Sequence, residues 1–428
     1  MKHKKVAFYT LGCKVNQYET NAMAQKFIEK GYEKVEFEEV SDVYIINTCT
    51  VTNMADKKSR QIIRQAKKHN KDAVVVATGC YAQVNDAQIK DIEAVDLIVG
   101  NNEKTRIVEL VEEYKKKNSQ VGKIEEEKEF NDFGTVTYTD KTRAVIKIQD
   151  GCNNFCSYCI IPYARGRVRS RNPESIIKEI TEIAKKGIKE VVITGIHVAS
   201  YGKDFENGYK LIDLLEEINK IENLKRIRLG SLEPNLINED FVKRLVKLDK
   251  VCNHFHLSLQ SGCNETLKRM NRKYTAEAFE KEVELLRKNF PNVALTTDII
   301  VGFPGETEKE FEETYKFLEK IKFSKMHVFK YSPRKGTIAA KMKEQISPEI
   351  KEERSNKLIE LSNINEKEFL NSHIGKEVEV LFETKTPNGY TVGHTTNYIS
   401  IKVRGENLEN TIKKVKITDK EDIEIVAI

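Results

Sequence analysis

Three times in the opening stretch of the chain an apolar, β-branched run ends directly on a cysteine: "AFYTLGC" at Cys13, "VYIINTC" at Cys49 and "VVVATGC" at Cys80. Helical segments follow these runs, and a fourth run, "AVDLIVG", leads into "EKTRIVELVEEYKKK". Alternating βα units build a parallel sheet, because parallel neighbours need a crossover and a helix usually supplies it. The strand ends of such a sheet share one rim, and ligands bind in the crevice outside it. One thiol per strand end, 36 and 31 residues apart, therefore predicts three sulfurs gathered at one edge. The alternative is three unrelated core residues, since free cysteine packs as a small hydrophobe. Repetition of the same strand-end position argues against it.

The pattern then changes twice. Residues 1–115 read as this α/β domain, and 116–137, within "KKKNSQVGKIEEEKEFNDFGT", as a charged linker. From 138 to 370 the runs "RAVIKIQ", "EVVITG", "RIRLGS", "HFHLSLQ", "VALTTDIIVGF" and "KMHVFKYS" alternate with helices. Six βα units predict a full or partial (β/α)6 barrel with its chemistry at the C-terminal strand ends. Over 371–428 helices cease and an Asn388-Gly389 hairpin signal appears, so a small all-β barrel is expected. With 428 residues and 39 % apolar content, the chain can bury several cores. Its N-terminal apolar run breaks at Gly12 and Lys14, short of a signal-peptide core, and no run is long enough to span a bilayer. A cytoplasmic location with no membrane partner is expected, where clustered thiols serve as metal ligands or reactive groups. The net charge of +6 is compatible with nucleic acid without requiring it.

The stretch "DGCNNFCSYCIIPYARG" places Cys152, Cys156 and Cys159 at C-x3-C-x2-C with no fourth cysteine. Three readings stand. A buried helical stripe fits the i, i+4, i+7 spacing, but Gly151, Asn153, Asn154 and Pro162 oppose a helix. Zinc needs a fourth ligand, for which Cys252, Cys263 or His197 can be proposed, none at zinc-finger spacing. A 4Fe-4S cluster with three irons held by protein leaves one corner open to a cofactor. Without a ligand role, Cys252 and Cys263 are expected as buried small residues.

The segment "CNNFCSYC" resembles the C-x3-C-x-aromatic-C signature of radical S-adenosylmethionine enzymes. The resemblance implies that S-adenosylmethionine completes the open iron and that Tyr158 packs near its adenine. It also implies cofactor contacts at later strand ends: Gly195 in "TGIHVASYG", Glu233 in "SLEP", Gln260 in "LSLQSG" and Gly302 in "TDIIVGFPGET". His197 stands where the family's strand-two motif usually ends in acidic character, and no role is assigned to it. Over its whole length the chain resembles the methylthiotransferases. That implies a second, auxiliary 4Fe-4S cluster on Cys13, Cys49 and Cys80 and a C-terminal domain of the OB-like TRAM type. "TLGCKVNQYET", "NTCTVTNMADKKSRQ" and "HVFKYSPRKGT" are similar to the branch acting on threonylcarbamoyladenosine next to the tRNA anticodon. The isopentenyladenosine branch typically has Gln-Met-Asn in place of Lys14-Val15-Asn16, and the ribosomal-protein aspartate branch Pro-Lys-Asn.

The implied reaction replaces the hydrogen on adenine C2 by a methylthio group, with S-adenosylmethionine as radical source and methyl donor. Both clusters must then face one pocket. Candidate RNA contacts are Arg165, Arg167, Arg169 and Arg171 in "ARGRVRSR", the basic helix with Lys57, Lys58, Arg60 and Arg64, and Lys402, Arg404, Lys413, Lys414 and Lys416 near the C-terminus. An electron donor and a sulfur source are implied as further partners. A noncatalytic zinc RNA-binding protein is the competing hypothesis.

Overall fold

The computed structural model describes residues 4–114, 118–139, 141–421 and 424–427. The first domain is a parallel sheet in the order β2-β1-β3-β4-β5-β6. Its strands are β1 (Lys5–Thr10), β2 (Glu33–Val35), β3 (Val43–Thr48), β4 (Val74–Gly79), β5 (Leu97–Val99) and β6 (Asn118–Gln120). Successive residues face opposite sides of a strand, so each strand feeds two cores. Tyr44, Ile46, Val75 and Ala77 pack on one face with Ile62, Ile63 and Ala66 of the helix Asn53–His69. Val43, Ile45 and Val76 pack on the other with Met23 and Phe27 of the helix Lys14–Glu29.

Within the expected linker 116–137, the described residues 118–137 pack against the first domain. β6 pairs with β5 in register Leu97↔Asn118, and Ile124 and Val136 are buried. Strand pairing is made by backbone groups, so the polar sequence Asn-Ser-Gln serves as an edge strand without an apolar signal. The Gln25 side chain accepts from the backbone N–H of Thr137 and Tyr138, tying the segment to the first helix.

The second domain is an arc of six parallel strands. β7 (Arg143–Asp150), β9 (Glu190–Gly195) and β10 (Arg226–Leu229) form one half, with the two-residue β8 (Arg169–Ser170) antiparallel to β7. β11 (Ser231–Leu232), β12 (His254–Gln260), β13 (Ala294–Val301) and β14 (Lys325–Lys330) form the other. Only Gly230 separates β10 from β11, so one bent strand pairs with β9 first and with β12 afterwards. A Cβ at Gly230 would lie 2.9 Å from the Ile193 carbonyl oxygen, a contact that favours glycine at this bend. One hydrophobic core runs through both halves, from Ile146 and Ile193 to Leu257 and Ile299. The helix Pro348–Asn371 leads into a closed five-stranded barrel of β15 (Glu377–Lys385), β16 (Tyr390–Thr395), β17 (Ser400–Arg404), β18 (Ile412–Glu421) and β19 (Glu424–Ala427). Leu370 from that helix joins Val380, Phe382, Ile399 and Ile401 in the barrel core. Gly389, at φ +83°, takes the left-handed position of the expected turn.

Candidate active site

The first three thiols stand at one rim. Cys13 precedes the helix Lys14–Glu29, Cys49 follows β3, and Cys80 opens a short helix after β4. The glycines of "LGC" and "TGC" allow the approach: a Cβ at Gly12 would lie 2.9 Å from Cys49 Sγ, and one at Gly79 would overlap the Thr48 carbonyl. Burial pushes the Cys49 thiol up to about 12, with the negative charge of Cys80 and Cys13 adding to it. Burial likewise raises Cys80, which Arg165 partly offsets. The three sulfurs thus share one electrostatic environment, in which binding a metal must displace protons.

The second trio lies on the loop after β7. Burial raises Cys152 to about 11 and Cys159 to about 12. The loop is clamped by backbone bonds: Cys152 N to Gly166 O (3.0 Å), Ser157 N to Met270 O (3.0 Å) and Ala339 N to Ser157 O (2.8 Å). Phe155 takes a left-handed φ of +46°, with its carbonyl accepting from Asn271 Nδ2 at 3.0 Å. Arg272 donates to Cys156 Sγ (3.3 Å) and pairs with Glu233 (2.7 Å), which in turn meets His197 Nε2 at 2.7 Å. Asn154 Nδ2 reaches both His197 and Glu233. Tyr158 packs edge-on against Phe303 at 6.3 Å.

Among the described residues, neither trio brings three ligand atoms within 4.8 Å of one another; His256, Asp298 and His327 on the inner barrel wall are the set that does so. A single tetrahedral zinc with bonds of about 2.3 Å needs sulfurs about 3.8 Å apart. Wider trios suit a polynuclear centre. Cys252 and Cys263 are both buried; Cys252 is placed near Arg228 and Glu190, and Cys263 Sγ donates to Glu313 at 3.1 Å.

The arginine run departs from expectation. Arg165, Arg169 and Arg171 are at most 1 % exposed, so they cannot offer their guanidinium groups to RNA. Arg165 donates from Nε to Cys80 Sγ (3.3 Å) and from Nη1 to Glu19 (2.7 Å) and to Asp150 (3.2 Å). It therefore links the first trio to the residue two positions before Cys152. Lys104 and Lys147 complete the cage around Glu19 at 2.5 and 2.7 Å. Burial alone would raise Asp150; Lys147, Arg165 and Arg169 more than offset it and hold it down to about 2. Arg169 donates to the Arg165 carbonyl, and Arg171 pairs with buried Glu179 at 2.9 Å. Gly166, at φ +72°, turns the chain between these inward groups, and Arg167 remains exposed, 4.5 Å over the Phe155 ring. A second clamp comes from Arg334, which bonds Thr50, Asn53 and Asp56 beside Cys49. Glu19, Arg272 and Arg334 were not selected by sequence reasoning, because their partners are remote in the chain.

The other expected contacts are distributed as follows. Gly195 abuts Gln149, whose amide bonds the carbonyls of Asp150 and Gly151. Gln260 holds a left-handed φ of +71° at the end of β12. The open side of Gly302 is filled by Lys351, and its neighbour Phe303 reaches the cysteine loop. Lys57, Lys58 and Arg64 are exposed, while Arg60 bonds the Tyr81 hydroxyl. Lys402 and Arg404 lie over Tyr390, Lys414 lies beside Glu377, and Lys413 and Lys416 are exposed. A cavity of about 700 Å³ opens between the domains, lined by Cys13 and Lys14, by Gly195, His254, His256 and His327 of the arc, and by Tyr398 of the last barrel.

The chain is similar to known proteins in sequence and in fold. The profile of the Radical SAM superfamily matches residues 146–318, and that of the uncharacterized protein family UPF0004 matches residues 5–100. The threonylcarbamoyladenosine tRNA methylthiotransferase MtaB of Bacillus subtilis is 45 % identical over 421 residues, covering 96 % of this chain and 93 % of that protein. The protein of the same name from Aquifex aeolicus is 46 % identical over 404 residues, covering 94 % and 97 %. A tRNA-2-methylthio-N(6)-dimethylallyladenosine synthase of Clostridium botulinum is 38 % identical over 386 residues, covering 89 % and 86 %. Among solved structures, the radical S-adenosylmethionine methyltransferase TsrM of Kitasatospora setae superposes with TM-score 0.58 at 17 % identity, covering 76 % of this chain and 73 % of that one, a likeness of fold. No helix among the described residues is long and apolar enough to cross a membrane.

Proposed function

The chain belongs to the radical S-adenosylmethionine tRNA methylthiotransferases, and on that premise we propose that it places a methylthio group on adenine C2 of threonylcarbamoyladenosine beside the tRNA anticodon. The observation that carries this reading is two three-thiol sites, each with an arginine donating to one sulfur, joined through Arg165. Two 4Fe-4S centres and S-adenosylmethionine, when bound, supply the one-electron chemistry that an unactivated ring carbon requires and the sulfur that replaces its hydrogen. Cys152, Cys156 and Cys159 hold one centre, Cys13, Cys49 and Cys80 the other. Arg165 offsets part of the burial that raises Cys80, and Arg272 donates a hydrogen bond to Cys156 Sγ. Glu233, fixed by His197 and Arg272, offers a carboxylate to the cofactor's ammonium group, and Tyr158 with Phe303 offers an apolar wall to its adenine.

The anticodon loop is gripped from outside by Arg167, Lys57, Lys402 and Lys414, with Phe155 and half-exposed Tyr163 as stacking partners for unpaired bases. The electron donor and the sulfur source are separate partners, and the setting is the cytosol. Two measurements test this reading. Anaerobic reconstitution should yield about eight irons per chain with labile sulfide; stoichiometric zinc without iron would overturn it. Nucleosides of tRNA from a strain lacking the gene should lose the methylthio-threonylcarbamoyl species and regain it on complementation. An unchanged peak would remove the assigned substrate.

A further inference from the structure

Where the three domains meet, the permanent charges do not balance. Arg228 pairs with Glu190 (2.7 Å), Arg143 with Glu383 (3.0 Å) and Arg226 with Glu379 (2.9 Å). These are three cations and three carboxylates. Lys14 is the fourth cation, within electrostatic reach of Arg143, Arg228, Glu190 and Tyr398. Among the described residues its ammonium has no hydrogen-bond or ion-pair partner. It opens onto the central cavity, whose one lining carboxylate, Glu366, is already paired with Lys325 at 2.9 Å. Lys14 is exposed on this wall, and its unpaired ammonium keeps full hydrogen-bonding capacity for an anion.

The surroundings of Lys14 are built rather than casual. Tyr398 sits in a left-handed backbone at φ +66°, where a bulky residue is strained. Its ring is stacked by His254 (4.9 Å) and His394 (4.7 Å) and faced by Arg228 (4.8 Å) and Arg143 (5.2 Å). Burial and the nearby cations hold His254 well below the usual histidine range, so it adds no further positive charge. The packed ring fixes one side of the cavity, and Lys14 faces the space beside it. Lys14 is also the chain neighbour of Cys13, the one cysteine that lines the same cavity.

We propose that Lys14 is the anchor for the free carboxylate of the substrate's N6 substituent, held in the cavity between the Cys13 rim, the barrel arc and Tyr398. The inference rests on the methylthiotransferase reading and deepens it. A threonylcarbamoyl group bonds its carbonyl carbon to both the purine amine and the threonine nitrogen, as a urea, and leaves the α-carboxylate free. It is the one anionic feature that separates this substituent from an apolar one. An ammonium–carboxylate contact at this position both binds and discriminates, because a neutral ligand leaves the cation unpaired. Lys14 is thus a specificity determinant, and its position next to Cys13 brings the anchored nucleoside to the first thiol trio.

The test uses the full, cluster-reconstituted chain under anaerobic conditions and three anticodon hairpins of one sequence. One carries threonylcarbamoyladenosine, one its carboxylate methyl ester, and one plain adenosine; affinities are read by fluorescence anisotropy. The wild type should favour the acid over the ester by about 10- to 100-fold. Lys14→Met should bring the two within about 2-fold, and Lys14→Arg, which keeps the charge, should recover most of the preference. A Lys14→Met variant that retains the wild-type preference overturns the anchor. So does one that weakens all three hairpins equally, since Lys14 then meets a backbone phosphate or only supports the fold. A wild type that makes the methylthio product without preferring acid over ester removes the anchor and leaves the function standing. A wild type that neither prefers the modified hairpin nor makes the product removes both.

Discussion

Cys152, Cys156 and Cys159 occupy eight consecutive residues of one loop, whereas Cys13, Cys49 and Cys80 come from three strand ends across 68 residues. The compact trio is held by backbone hydrogen bonds to its immediate surroundings and by Arg272. The dispersed trio exists only when the whole sheet has formed, and it is braced by a charge cage whose members belong to two domains. Arg272 shares Glu233 with His197, whereas Arg165 is sealed among Glu19, Asp150 and Asn16. The compact trio is thus one loop clamped by distant residues of its own domain, whereas the dispersed trio needs three strand ends and a second domain.

The sharpest way to break this contrast is to remove one cysteine from each side. Cys156→Ala should reduce deoxyadenosine formation to background, while Cys49→Ala should keep cofactor cleavage and lose methylthio transfer, both read by mass spectrometry. Equal cleavage by the two variants would erase the division of labour. Next in size, Arg165→Met leaves two carboxylates buried against fewer cations and should cost about 3–5 kcal/mol in denaturant unfolding. It should also strip iron from the first trio before the second. Arg272→Met should cost less, because Glu233 retains His197, and comparable losses would show that the cage is not special.

The arginine cage also marks where sequence reading succeeds and where it stops. The strand-end cysteines and the C-x3-C-x2-C loop were legible because spacing along the chain encodes them, as were the parallel sheet and the arc of βα units. The run Arg165, Arg167, Arg169, Arg171 misled for a physical reason. Arg165 ends a short helix, Gly166 turns the chain and only Arg169 lies in a strand, so alternation along the sequence does not put the four on one face, and the Glu19 carboxylate that pairs with Arg165 lies 146 residues away. The edge strand Asn118–Gln120 was missed because its pairing uses backbone atoms and leaves no mark in side-chain polarity. Lys14 reads as one more surface lysine until the cavity is seen.

Acid titration sharpens the comparison more finely. Asp150 is held down to about 2, and its unfolded counterpart protonates near about 3.9. Its contribution is therefore complete above about 3.9 and is lost as pH falls through about 2. Asp150→Asn should differ from the wild type by a constant stability increment from about pH 5 to 8, and the gap should close below about pH 4. A gap that instead changed near neutrality would implicate another group. The smallest effect is expected outside the cages: Lys57→Ala and Arg167→Ala should leave stability within about 0.5 kcal/mol and each lower the salt dependence of tRNA affinity by about one unit of log–log slope. An unchanged slope would remove that residue from the RNA surface.

The salt bridge between Arg165 and Glu19 has a consequence for how the polypeptide is made. As the chain leaves the ribosome, Glu19 emerges 146 residues before Arg165. At roughly 5–20 residues per second, that gap is roughly 7–30 s. For the first 128 residues of this interval the chain lacks both Lys147 and Arg165, so Glu19 has neither partner from the second domain. The first domain can close its cage only after the strand and loop of its neighbour have been synthesised. Translation order thus makes the early domain wait for the later one.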